Sequence, residues 1–308
     1  MKRTFNRRRQ RHFPTNPKNL TELGDIPEEF KVTLGRKTFL CYDSYVDDEY
    51  DDDDDEDDDE VDRQRREKRI LIFTTKSALK KLASSPVLHF DGTFETAPDI
   101  FTQILSIHGE YRNNTLPLVF ALLPDKLEET YRRVLSAILK IIEDYGIRRP
   151  TPTTCVSDFE KALINAIKAA FEEAEIRLCL FHLRQSAFRK LSQLGLLVRY
   201  RDPDNDAVRK GFRQVVGTAF VPTDDVVGAF MEVRDALPAS MTAFADYFEQ
   251  TYVVGRRARG ARRATAPRYP RKEWNQYTAA LDNSPRTNNA TDCEAWHNRF
   301  QVCSHLLP

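Results

Sequence analysis

The sequence predicts an α/β fold: a mixed sheet with flanking helices, and an all-helical insertion placed before the last helix. Three observations carry this. Short apolar runs rich in Ile, Leu, Val and Phe, bounded by turn residues, recur between Phe39 and Phe181. From Leu127 these runs alternate with stretches whose apolar residues keep helical spacing. From Leu197 the strand-like runs stop and only helical spacings remain.

With 308 residues the chain has room for one large domain or two ordinary ones, and 41% hydrophobic residues suffice for a core. The formal net charge of +0 conceals a division. Between Asp47 and Glu60 every residue except Tyr50 is acidic; setting those 13 acids aside leaves 47 bases against 34 acids, or +13. The folded part is therefore basic and suits a polyanionic partner. Cys41, Cys155, Cys179, Cys293 and Cys303 are odd in number and scattered, which is no disulfide framework and points to a reducing, intracellular compartment. The N-terminus is too basic for a signal peptide, and no apolar run is long enough to span a bilayer, so membrane insertion is excluded.

Residues 1–18 form a basic tail (Lys2, Arg3, Arg7, Arg8, Arg9, Arg11) that cannot bury a core; it reads as a nuclear-import or phosphate-contacting segment, or as a plain solvated tail. Residues 19–85 are an N-terminal segment with strands at Phe39–Tyr42 and Ile70–Phe73 and an acidic insertion, 47–60, that repels itself and stays extended. That insertion is a solubilising loop, or a shield over a basic groove. The core is expected at 86–196. Val87–Phe94 is a strand with Asp91 at its C-terminal end, and Ile100–Ile107 and Leu116–Leu123 complete an antiparallel meander. Leu127, Tyr131, Val134, Leu135, Ile138, Leu139, Ile142 and Tyr145 mark a helix that Gly146 stops. Thr153–Asp158 is a strand again ending in aspartate. A helix through Phe159–Ala170, a strand Glu175–Phe181 and a helix near Arg184–Leu194 follow. This order of strands and helices is that of an RNase H-like sheet, in which the first strand lies beside the fourth and Asp91 and Asp158 become neighbours.

Residues 197–285 read as the helical insertion, with helices around 208–216, 226–237 and 241–252. It carries a basic loop, 256–272: Arg256, Arg257, Arg259, Arg262, Arg263, Arg268, Arg271 and Lys272, with Tyr269, Trp274 and Tyr277 alongside. Cations interleaved with aromatics suit backbone phosphates and unstacked bases, the alternative being a solvated charge run. Residues 286–308 hold Glu294 on a helix with Trp296 and Phe300 on one face, and the chain reads as truncated soon after it.

Asp91, Asp158 and Glu294 are a carboxylate set able to hold two Mg²⁺ (or Mn²⁺) ions for in-line displacement at a phosphodiester. An isolated Asp91-Gly92 pair would instead be read as a hairpin turn. Cys179-x-x-His182 is half of a zinc site, and a Zn²⁺ ion would need Cys293 with His297, or Cys303 with His305, brought to it. Without such a partner the pair reads as an auxiliary to the active site, or as a buried thiol and a hydrogen-bonded imidazole.

The segments HFDGTFETAPDIFTQILSIHGE, PLVFALLPDKLEETYRRVL, VSDFEKALINAIKAAF, EIRLCLFHLRQSAFRKL, YPRKEWNQY and RTNNATDCEAWHNRF, spread from about Asn16 to Phe300, resemble the transposase of Mutator-like elements, the MULE domain. The resemblance implies an RNase H-like catalytic core of the aspartate-aspartate-glutamate type. The two aspartates fall on Asp91 and Asp158, the glutamate on Glu294, and the family's Cys-x-x-His signature on Cys179 and His182. It implies metal-dependent cleavage and strand transfer of transposon-end DNA, a double-stranded DNA partner, a nuclear location, and a protein that can assemble as a homo-oligomer. The alternatives are a transposon-derived DNA-binding or regulatory protein, or an inactive transposase fragment, without catalysis. A third is an RNase H-like nuclease acting on other nucleic acids.

Overall fold

The computed structural model describes residues 17–48, 58–94, 97–112, 114–256, 258 and 263–282. They form a mixed α/β protein whose seven strands stand in the order β1-β2-β5-β4-β3-β6-β7. The strands are β1 Leu40–Asp43, β2 Leu71–Thr74, β3 Val87–Thr93, β4 Gln103–Tyr111, β5 Asn114–Leu123, β6 Thr154–Ser157 and β7 Glu175–Leu178. The run β5-β4-β3-β6-β7 is the expected order, consistent with an RNase H-like transposase core. No helix among the described residues is long and apolar enough to cross a membrane.

The described chain divides into two compact units, the first comprising residues up to Cys155 together with Lys161–Ala174, the second Val156–Glu160 and the residues from Glu175. In the first, β3, β4 and β5 pair as an antiparallel meander: Asp91 faces Ser106, and Ser106 faces Phe120. Beyond β5 the sheet goes on through β2 and β1, both antiparallel, with Phe73 opposite Phe120 and also opposite Leu40. The sequence shows these two runs as strands but not their place in the sheet. Helices α1 Asp58–Glu67, α2 Lys76–Ser84, α3 Glu128–Asp144 and α4 Lys161–Ala170 accompany these strands.

Helix α3 buries Tyr131, Val134, Leu135, Ile138 and Ile142, the stripe its sequence spacing requires. It ends where Gly146, at φ +64°, donates to the Glu143 carbonyl at 2.8 Å while Ile147 donates to Ile142 at 3.0 Å, a Schellman motif. Helix α4 packs on α3, and Asn165 Nδ2 donates to Glu128 Oε2 at 2.6 Å. That amide, and then Arg132, hold the Glu128 carboxyl below its usual range.

Several boundaries differ from expectation: the second strand of the meander is Gln103–Tyr111 rather than Ile100–Ile107, and α4 begins at Lys161 rather than Phe159. The acidic insertion does not stay extended to Glu60: Asp58–Glu60 begin helix α1, whose register is supported by Arg63 with Glu67 (3.0 Å) and Arg66 with Asp62 (2.7 Å), four residues apart. Residues 49–57 lie outside the described residues. The strand expected to reach Phe181 stops at Leu178, because Leu180 already opens a helix.

Arg69, fully buried, ties the N-terminal segment to this sheet. It donates through Nε to Asp43 Oδ1 at 2.8 Å and through Nη1 to the carbonyls of Leu23 and Gly24 at 2.6 and 3.0 Å. Asp43→Ala leaves that guanidinium buried without its counter-charge and is expected to cost about 3–5 kcal/mol. A urea unfolding midpoint equal to that of the unaltered chain would refute this.

The second unit is helical apart from β7 and the end of β6. Its longer helices are α5 Leu180–Gln193, α6 Ala207–Gly217, α7 Val226–Ala236 and α8 Thr242–Phe248, the last running into a π-helical turn, Glu249–Val253. The third expected helix is thus divided, with a 3₁₀ turn at Ala239–Met241 before α8. Arg234 of α7 binds both Asp246 and Glu249 across this junction. Phe212, Phe230, Phe244, Phe248, Tyr252 and Trp274 are each no more than 1% exposed and form the aromatic centre of the unit.

Candidate active site

Asp91 is half-buried and lies inside β3 rather than at its end, since pairing with β4 continues through Thr93 opposite Ile104. The expected strand end is therefore two residues too early: neither Asp91 nor Gly92 interrupts the ladder. Because side chains alternate along a strand, Asp91 shares a face with His89, and across from them stand Ser106, His108 and Glu110. These polar groups are connected. Ser106 Oγ donates to the Asp91 carbonyl at 3.3 Å, His108 Nε2 lies 3.0 Å from Ser106 Oγ, and His89 Nε2 lies 3.2 Å from Glu110 Oε1. Ser106, His89 and His108 are each at most 2% exposed. A buried polar network of this kind rigidifies the backbone that presents Asp91. Sequence reasoning missed it, although the alternations His89-x-Asp91 and Ser106-x-His108-x-Glu110 within apolar runs were its signal.

Gly92 faces the other way. A Cβ there would stand 2.9 Å from Oε1 of Gln103, a fully buried side chain whose Nε2 donates to the Tyr131 hydroxyl. The glycine leaves room for this close approach and does not serve a turn; a Cβ there would make the Gln103 amide shift.

Asp158 belongs to the second unit and follows β6 directly. Its Oδ1 accepts the Glu160 N–H at 3.2 Å, an Asx turn that leads the chain towards Lys161 and α4. One residue earlier, the Ser157 carbonyl accepts the Cys179 N–H at 2.9 Å, which joins the start of α5 to the strand bearing Asp158.

Cys179, fully buried, is the N-cap residue of α5, and half-buried His182 sits in its first turn with its ring edge-on to that of the exposed Phe181 at 5.4 Å. The Cys-x-x-His pair is thus built on a helix start and not on a strand end. Among the described residues no three His, Cys, Asp or Glu side chains gather as a cation site. Cys293, His297, Cys303 and His305, the potential zinc partners, lie outside the described residues, as does Glu294. Asp91 and Asp158 have the hard oxygen donors that Mg²⁺ or Mn²⁺ prefers, but the described residues alone do not complete a cage. Cys155, fully buried in β6, is a core side chain: burial pushes its thiol up to about 12.

In the basic loop, Arg256 and Thr265 exchange backbone hydrogen bonds of 2.9 Å, so the two described ends are held side by side. Arg256, Arg263, Arg268 and Lys272 are exposed, whereas half-buried Arg271 donates to the Val253 carbonyl at 2.7 Å. Arg257, Arg259 and Arg262 lie outside the described residues. Trp274, expected to face nucleic acid beside this loop, is fully buried: its Nε1 donates to the Tyr252 carbonyl at 3.0 Å. Tyr269 is likewise only 5% exposed. The physical reason is that a helical unit of this size needs large apolar rings at its centre, and that requirement takes these aromatics inward.

A search of curated proteins finds no match. The stretch from the first residue of β3 into α5, which contains both aspartates and the Cys179–His182 pair, does match a known family: residues 87–186 of this chain match the model of the MULE transposase domain.

Proposed function

We propose that this chain is a DNA transposase of the aspartate-aspartate-glutamate type, cutting transposon-end DNA and joining the freed 3′-hydroxyl to target DNA. The observation that carries this reading is that the family match over residues 87–186 includes two aspartates, one on β3 and one directly after β6, strands that are neighbours in the sheet order. Asp91, Asp158 and Glu294 are the proposed ligands of two Mg²⁺ or Mn²⁺ ions. When bound, such ions supply Lewis-acid activation of the attacking oxygen and stabilise the leaving one. The chain's own part is to hold the carboxylates on supported backbone, through Ser106 at Asp91 and the Asx turn at Asp158. Cys179 and His182 act beside them, orienting DNA or a carboxylate. The basic residues Lys2 to Arg11 support a nuclear location, and a homo-oligomer able to bring two element ends together fits the reaction.

The test is cleavage of terminal-repeat DNA by the full chain in Mg²⁺ and in Mn²⁺. Salt-dependent binding without cleavage in either metal would replace this reading with a DNA-binding, non-catalytic role. Cleavage of RNA or hybrid with no preference for terminal repeats would replace it with a general nuclease.

DNA contact is assigned to the exposed cations Arg256, Arg263, Arg268 and Lys272. Their combined replacement by alanine is expected to weaken binding to all DNA sequences alike. The slope of log affinity against log salt should fall by about 0.9 for each charge that meets a phosphate. An unchanged slope would remove the loop from the interface.

A further inference from the structure

The short segment Val156–Glu160 is compact with the helical unit, although the residues on either side of it, Cys155 and Lys161, group with the other unit. Its attachment is aromatic. The Phe159 ring stands edge-on to Tyr269 at 4.9 Å and 80°, and to Tyr252 at 5.8 Å and 82°. Tyr252 and Tyr269 stack at 5.7 Å and 18°, so the phenylalanine edge meets a ready-made pair of rings. Each tyrosine hydroxyl has its own task. Tyr252 meets Ser186 Oγ at 3.0 Å, whereas the Tyr269 hydroxyl donates to the main-chain carbonyl of Phe159. Tyr269 is anchored in turn, its N–H donating at 3.2 Å to the carbonyl of Thr251 within the π-helical turn. Burial above all, against the pull of the Arg268 charge, holds the pKa of this phenol above its ordinary value, so it stays a protonated donor at physiological pH.

Asp158 lies between the end of β6 and this clamped peptide. A carboxylate on a strand-to-helix turn has backbone freedom that a mid-strand residue lacks, and a reactive group must be held to within about 0.5 Å of its working position. We propose that Tyr269 is a positioning residue for Asp158: by fixing the Phe159 carbonyl, its hydroxyl sets the backbone from which the aspartate side chain projects. The proposal rests on the reading of Asp158 as a catalytic carboxylate. It gives the helical insertion a second task besides DNA contact, since Tyr269 belongs to the loop that carries the exposed arginines.

The experiment compares the full chain with Tyr269→Phe, which keeps the stacked and edge-on rings and removes only the hydroxyl. Two readouts are taken: amide hydrogen exchange across residues 156–162, and kcat and KM for terminal-repeat DNA. Expected are exchange about tenfold faster, confined to that segment, and a kcat lower by about ten- to a hundredfold at unchanged KM. Exchange equal to that of the unaltered chain overturns the proposal, whatever kcat does. So does acceleration spread evenly over the protein, or local acceleration with kcat unchanged. Should the unaltered chain not cleave DNA at all, the transposase reading fails by itself and the exchange readout alone decides whether the Tyr269 clamp exists.

Discussion

Asp91→Asn and Asp158→Asn are each expected to lower cleavage of terminal-repeat DNA by about a thousandfold while leaving the melting temperature and the DNA affinity nearly unchanged. Replacing one carboxylate oxygen by an amide nitrogen removes a negative charge and a hard donor without changing shape. Charge stabilisation by a held divalent ion is worth several kcal/mol, and about 1.4 kcal/mol corresponds to a factor of ten. Neither change should harm the fold, for reasons specific to each site. At Asp91 the Ser106 hydroxyl is bonded to the main-chain carbonyl and not to the carboxylate. At Asp158 the Asx turn to the Glu160 N–H needs only an Oδ1 acceptor, which asparagine keeps. Cleavage at the unaltered rate in both variants would remove the proposed chemistry. A fall in both affinity and melting temperature would instead make the residues structural.

Trp274→Ala is the second large effect, and it should appear in stability. The ring is fully buried, edge-on to Phe248 at 6.0 Å and to Tyr252 at 6.2 Å, and its indole N–H is bonded to the Tyr252 carbonyl. Truncating a buried tryptophan costs about 3–5 kcal/mol, a large part of the roughly 5–15 kcal/mol that holds a typical domain folded. Trp274→Phe refills much of the volume but leaves the Tyr252 carbonyl without its indole donor, for a smaller loss of about 1–3 kcal/mol. Urea unfolding separates these from a nucleic-acid role. If Trp274→Ala kept its unfolding midpoint and lost only DNA affinity, the ring would be a base-stacking surface after all.

The same residues show why some features were legible before any coordinates and others were not. The helix Glu128–Asp144 and its stop at Gly146 could be read from spacing and one glycine, because both depend on hydrogen bonds between near neighbours in the chain. The strand runs and the aspartate directly after β6 were readable for the same reason. The exposed arginines were legible as charge, which needs no knowledge of packing. Trp274 was misjudged because the loop beside it is basic, and basic surroundings say nothing about which way a ring turns. The polar ladder from Asp91 to Glu110 was overlooked because its members alternate between two strands that only the register brings face to face.

What the amino-acid order determined by itself is therefore local: roughly where strands and helices fall, and which acids and bases are on hand. Tertiary structure alone decided that β1 and β2 extend the sheet beyond β5, that Gly92 makes room for the Gln103 amide, and that Tyr269 meets the Phe159 carbonyl across 110 residues. Those outcomes depend on distant surfaces competing for the same buried space. No window of neighbouring residues contains both competitors, so the result is settled only when the whole core closes.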